Sequence, residues 1–213
     1  MKTDDLIVAL TTGAEPVDPR MPSRRMLFAA VAGVALALPL MIGLLGVNPL
    51  LAQAAGAPMF WIKLAFVAAT VVAAFAVALK LARPGASVRR SGVALAIPFI
   101  SLWLLAAIVL VVSAPGDRQG LLFGSTWSAC PINIAVLSAP ALLLSLGAMR
   151  AAAPTRPALA GAAAGLLAGG LGATVYTLHC PELAAPFLAV WYVLGMLIPA
   201  AVGAGVGGRL LRW

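Results

Sequence analysis

The sequence predicts an all-α fold: a polytopic membrane bundle of six transmembrane helices with a short cytoplasmic N-terminal segment. Three observations carry this. Only 9% of the 213 residues are charged and 63% are hydrophobic, whereas about a quarter of a soluble domain is charged. The apolar residues gather into six runs of about twenty, each long enough at 1.5 Å per residue to cross about 30 Å of hydrocarbon. Twelve of the fourteen lysines and arginines, all but Lys63 and Arg118, fall on one side of a six-span bundle.

Residues 1–25 form a polar tail with no apolar run of the kind a signal peptide needs. Within it, Thr3 to Leu10 reads as a short helix. Asp4 and Asp5 favour its positive end, and Leu6, Ile7 and Leu10 share a face. Two turns are marginal alone in water. Pro16, Pro19 and Pro22 then punctuate the chain, which is expected to be extended or disordered there, and Arg20, Arg24 and Arg25 make a basic collar. The spans are expected at 26–46, 61–81, 92–113, 131–149, 158–177 and 184–207, so the chain divides into the tail, 1–25, and one membrane domain, 26–213.

The positive-inside rule orients the bundle. Lys2, Arg20, Arg24 and Arg25 lie in the tail, and Lys80, Arg83, Arg89 and Arg90 between the second and third spans. Arg150 and Arg156 lie between the fourth and fifth, and Arg209 and Arg212 at the end. Both termini are therefore expected in the cytoplasm of a bacterial inner membrane. The outer loops are then about 47–60, 114–130 and 178–183. The net charge of +8 is absorbed by this topology, and no direct nucleic-acid partner is expected.

Small residues recur at Gly161, Gly165 and Gly169 and at Gly203 and Gly207, spacings that let helix backbones approach closely. Packing within the bundle is the first reading and a homodimer the second. Pro39, Pro98, Pro140 and Pro199 fall inside spans and are expected to kink them. Lys63 lies one turn inside the second span. Its expected fates are snorkelling to the outer interface or an ion pair with Glu182 or Asp117.

Chemistry concentrates in two outer breaks. Trp127-Ser128-Ala129-Cys130-Pro131 holds one of two cysteines; Thr177-Leu178-His179-Cys180-Pro181-Glu182 holds the other and the single histidine. A close Cys-x-x-Cys pair, which thiol oxidoreductases use, is missing from the sequence, as is a histidine within a span, so an enzyme is not expected and no cofactor is assigned. Cys130, His179, Cys180 and Glu182 have the donor types of a soft-metal site, although adjacent His179 and Cys180 are poorly spaced for chelation. A structural disulfide between Cys130 and Cys180, two separate apolar side chains, and a switch responsive to oxidants or soft metals all remain open.

The start Met1-Lys2-Thr3-Asp4-Asp5-Leu6-Ile7, the two cysteine neighbourhoods, Phe187 with Val190-Trp191-Tyr192, and the ending Leu210-Leu211-Arg212-Trp213 together resemble the NrsF-type membrane anti-sigma factors, negative regulators of sigma F. The resemblance spans the chain. It implies an extracytoplasmic-function sigma factor of the sigma F type as partner, bound by the cytoplasmic N-terminal segment. Asp4, Asp5, Leu6, Ile7 and Leu10 are the sigma-binding candidates. It also implies that Cys130 and Cys180 sense stress such as oxidants or heavy metals. A small transporter or channel is the alternative; the absence of ionisable residues at mid-span argues against it.

Overall fold

The computed structural model describes residues 3–12, 18, 20–83 and 85–212. Among these the regular structure is entirely helical. A short tail helix, α1 (Thr3–Thr11), precedes α2 (Met21–Leu44). The short α3 (Leu51–Ala55) leads into α4 (Pro58–Leu81), then α5 (Arg89–Val112). The short α6 (Arg118–Phe123) precedes α7 (Cys130–Arg150), then α8 (Pro157–Tyr176) and α9 (Ala185–Leu210). The six long helices, α2, α4, α5, α7, α8 and α9, are long and apolar enough to cross a membrane. Their outer surfaces are apolar: Phe28, Val72, Val93, Val111 and Leu143 are all exposed. Surfaces of this size are unfavourable in water and suit lipid tails.

Each long helix matches an expected span, but several extend further. Hydropathy marks the hydrocarbon crossing, whereas a helix can continue into the headgroup layer with its arginines. So α2 begins at Met21, with Pro22 in its first turn where no amide partner is required, and α5 begins at Arg89. Helices α2, α5, α7 and α9 run on through Pro39, Pro98, Pro140 and Pro199.

The centre of the bundle is α8, buried along nearly its whole length. Its glycines explain why. Gly161 abuts Gly203 and Gly207 of α9, Gly165 abuts Pro199 and Ala200, and a β-carbon on Gly169 would come within 2.7 Å of the Met196 carbonyl oxygen. The two glycine stripes therefore meet each other within one chain, as the first reading expected. Gly172 brings α8 equally close to α7, where a β-carbon would lie 2.8 Å from the Ser138 amide nitrogen. Gly33 does the same for α2 against Ala141 of α7.

The chain thus has two ends. At the basic end, Arg24 and Arg25 of α2 lie near Ala151, and Lys80 and Arg83 near Arg156. At the other end the loops 46–57, 113–129 and 177–184 come together around the cysteines.

Candidate functional site

The site is built on the strap 177–184, which joins α8 to α9. At the start of the strap, the Asn48 amide donates to the Leu178 carbonyl at 3.0 Å, and His179 Nδ1 lies 2.9 Å from the Gly46 carbonyl oxygen. These two bonds fix the strap to the end of α2. At its far end, the Glu182 carboxylate accepts from the Ser125 amide and hydroxyl, both at 2.7 Å, and from the Thr126 hydroxyl at 3.4 Å. Gly124 makes this possible. Its φ is +53°, and a β-carbon there would stand 2.7 Å from Glu182 Oε1.

Lys63 closes the strap from beneath. The side chain is 0% exposed, so it does not snorkel. Nor does it pair with either expected carboxylate. Nζ donates to the carbonyl oxygens of Cys180 and Glu182, each at 3.1 Å, and lies 4.7 Å from the centre of the Tyr192 ring. Burial explains the choice: the strap turns its backbone carbonyls inward, and a buried ammonium must find acceptors there. The Glu182 carboxylate, meanwhile, turns toward Ser125.

Cys130 opens α7, ahead of Pro131, and Cys180 lies mid-strap. They are 0% and 3% exposed. Both thiols are free and buried, and they lie close enough for each to influence the other's protonation. The neighbouring Cys130 thiol brings the Cys180 thiol down to about 6, against the upward push of burial and with further help from the Lys63 ammonium. Tyr192 packs alongside. Its buried hydroxyl lies near Cys180 and Thr177 without a well-formed hydrogen bond. The arrangement suits chemistry on a thiol pair: joining the sulfurs, or clamping a soft ion between them.

The expected metal set does not assemble. Cys130 and Cys180 meet, but His179 is turned to Gly46 and Glu182 to the 125–126 turn. Among the described residues no three histidine, cysteine or acidic side chains converge as a metal requires.

Aromatic residues brace the rim. Trp191 Nε1 donates to the Leu122 carbonyl at 2.8 Å, and the Trp127 and Trp191 rings lie 5.2 Å apart. Residues 188–192 of α9 form one π-helical turn, and within it the Ala189 carbonyl accepts from Trp103 Nε1 at 3.0 Å. Sequence reasoning missed Ser125, Thr126 and Tyr192. The polar break at Gly124-Ser125-Thr126 was a usable signal for the first two; Tyr192 stood out only within the Val190-Trp191-Tyr192 run of the resemblance, with no role attached.

At the chain's start, α1 carries Asp4 and Asp5 in its first turn. Leu6 and Ile7 are exposed, Ile7 by 54%, and Val8 beside them as well. The Leu10 side chain lies outside the described residues.

No solved structure matches the chain. Two relatives match over their whole length and over the whole of this chain. A probable anti-sigma-F factor NrsF of Azospira oryzae is 47% identical over 213 residues, and the anti-sigma-F factor NrsF of Caulobacter vibrioides is 43% identical over 216. The family model described as "negative regulator of sigma F" matches residues 10–213. With the helical bundle, the paired cysteines and these matches in hand, the chain belongs to the NrsF family of negative regulators of sigma F.

Proposed function

We propose that this protein is an anti-sigma factor of the bacterial inner membrane. Its cytoplasmic N-terminal segment sequesters an extracytoplasmic-function sigma factor of the sigma F type. The sigma factor is released when oxidants or soft metals react with Cys130 and Cys180 on the periplasmic side. One observation carries the reading: a buried pair of free thiols at one end of the bundle, and a solvent-exposed acidic-apolar helix that precedes α2 at the other. Leu6 and Ile7, with Leu10, enter an apolar groove of the sigma factor, and Asp4 and Asp5 meet its basic, DNA-binding surface. A short helix of this type gains order on docking. The full-length relatives named anti-sigma-F factors support the partner, and the segregation of positive charge supports the orientation.

Co-purification in mild detergent tests the docking claim. The full chain should retain the cognate sigma factor, and a chain lacking residues 1–12 should lose it. Retention by the truncated chain would refute the assignment of the tail. Separately, Cys130→Ser with Cys180→Ser should abolish induction of a sigma reporter by oxidants or cadmium. Unchanged induction would refute the sensor while leaving the docking intact.

A further inference from the structure

At the basic end, the last turn of α4, Arg83, residues 85–88, the start of α5 and residues 155–156 line a cavity of about 460 Å³. Lys80, Arg83, Arg89 and Arg156 line it, and Ser87 and Thr155 add hydroxyl groups. No carboxylate is among the lining residues. The ion pair found among the described residues lies elsewhere, between Arg24 and Asp18 at 4.0 Å. Four like charges around one cavity repel one another unless an anion joins them. Guanidinium groups, with their planar fork of donors, are the natural partners of phosphate oxygens.

The cavity does not stand alone. A second groove, of about 510 Å³, opens beside it along α4. Ala76 and Leu79 supply its apolar floor, while Lys80, Arg83, Ala86 and Ser87 belong to both spaces. A cationic pocket thus continues into an apolar trough on an outward helix face, at the level where the apolar span ends. A soluble anion would fill only the first part. An amphiphile with an anionic head fills both.

We propose that the cavity and groove together bind an anionic phospholipid, its phosphodiester head among Arg83, Arg89, Arg156 and Lys80 and one acyl chain along α4. This rests on the membrane reading above. Basic pockets between transmembrane helices are suited to anionic headgroups, and here the lining comes from two separate connections, the one that joins α4 to α5 and the one that joins α7 to α8. A bound lipid would bridge them.

The test uses the full chain in detergent, with native mass spectrometry counting bound lipid. Phosphatidylglycerol should bind in preference to phosphatidylcholine. Arg89→Gln with Arg156→Gln should weaken it by at least about tenfold, the loss expected when two charge-assisted contacts to a phosphate are removed. Arg90→Gln with Arg150→Gln removes the same charge from the same end but not from the cavity, and should change binding by no more than about twofold. Equal loss in both double variants would overturn the site in favour of diffuse attraction. So would equal binding of the two lipids by the unmodified chain. Competition by inorganic phosphate or glycerophosphoglycerol as strong as that by the lipid would overturn the acyl groove. Extraction of membranes with alkaline carbonate keeps this separate from the reading beneath it. A chain released as soluble protein sinks the membrane assignment; one that stays with the membrane but shows no lipid preference sinks this site alone.

Discussion

Lys63→Met is the perturbation that most directly asks what holds the strap. Methionine keeps the length and much of the volume of lysine but removes the ammonium. Two hydrogen bonds disappear, to the Cys180 and Glu182 carbonyls at 3.1 Å each, with the contact over the Tyr192 ring at 4.7 Å. Hydrogen bonds from a charged donor contribute about 1.5–3 kcal/mol each, and a desolvated cation over an aromatic ring about 2. The gross loss is thus about 5–8 kcal/mol. Against it stands the cost of burying an ammonium with no carboxylate at hydrogen-bonding distance, several kcal/mol, which the substitution removes. The net expectation is a strap destabilised by about 1–3 kcal/mol, or opening about 5- to 150-fold more often. Hydrogen exchange at the amides of 178–180, which bond back to Val175 and Tyr176, reads this directly. Maleimide labelling of Cys180 should accelerate in step. Lys80→Met, at the basic end, is the control. Unchanged exchange at 178–180 in Lys63→Met would refute the claim that the ammonium holds the strap, and would leave the strap to its bonds with Gly46, Asn48 and Ser125.

The remaining expectations concern packing, the thiols and the acidic clasp. Gly169→Ala places a methyl group 2.7 Å from the Met196 carbonyl oxygen and should destabilise the bundle by about 1–3 kcal/mol; thermal unfolding in detergent measures this, with Gly205→Ala, where nothing lies within 4 Å, as the neutral comparison. Cys180 is lowered from 9.0 to about 6, so the unfolded chain binds more protons between those values. Strap stability should therefore rise with pH across that window and be lost as pH falls through about 6; Cys180→Ala should flatten the profile measured by hydrogen exchange. Glu182→Gln keeps shape but loses the charge that gathers Ser125 and Thr126. It should loosen the 124–127 turn by about 1–2 kcal/mol, seen as faster exchange of the Ser125 amide.

The six long apolar helices and the meeting of the glycine stripes were legible because both follow from local periodicity. A run of about twenty apolar residues reads as a helix suited to hydrocarbon, and glycines at every fourth position of such a helix open a face where another backbone can come close. Lys63 shows where such reading stops. Its place inside an apolar span marks it as unusual, but its acceptors are main-chain carbonyls of residues 180 and 182. Carbonyls have no sequence signature, and only the path of the strap decides which of them turn inward. His179 fails for the same reason, since its partner is the Gly46 carbonyl. The four-residue metal set was a list of donor types, and donor types do not say which way a strap turns its side chains. The paired cysteines were foreseeable only as alternatives, because residues 130 and 180 meet through the packing of three helices.

A signal at the cysteines has a physical route to the tail under the proposed function. The strap bonds to Gly46 and Asn48 just beyond α2, and α2 runs unbroken from there to Met21, where the tail joins. Midway, a β-carbon on Gly33 would meet that of Ala141 at 2.6 Å, so α2 and α7 are in near-backbone contact. Contacts of that kind do not stretch; they hold or shift as a unit. Cys130 heads α7 and Cys180 lies in the strap, so a bond between the sulfurs acts on both neighbours of α2 at once. Coupling between sites in proteins is typically about 1–3 kcal/mol, the same size as the loosening expected of Lys63→Met. That variant should therefore raise basal sigma activity without any oxidant, and should do so even with Cys130 and Cys180 both replaced by serine. If strap exchange quickens in Lys63→Met while the reporter stays repressed, the strap is not the element that α2 reads, and the signal must travel through α7 alone.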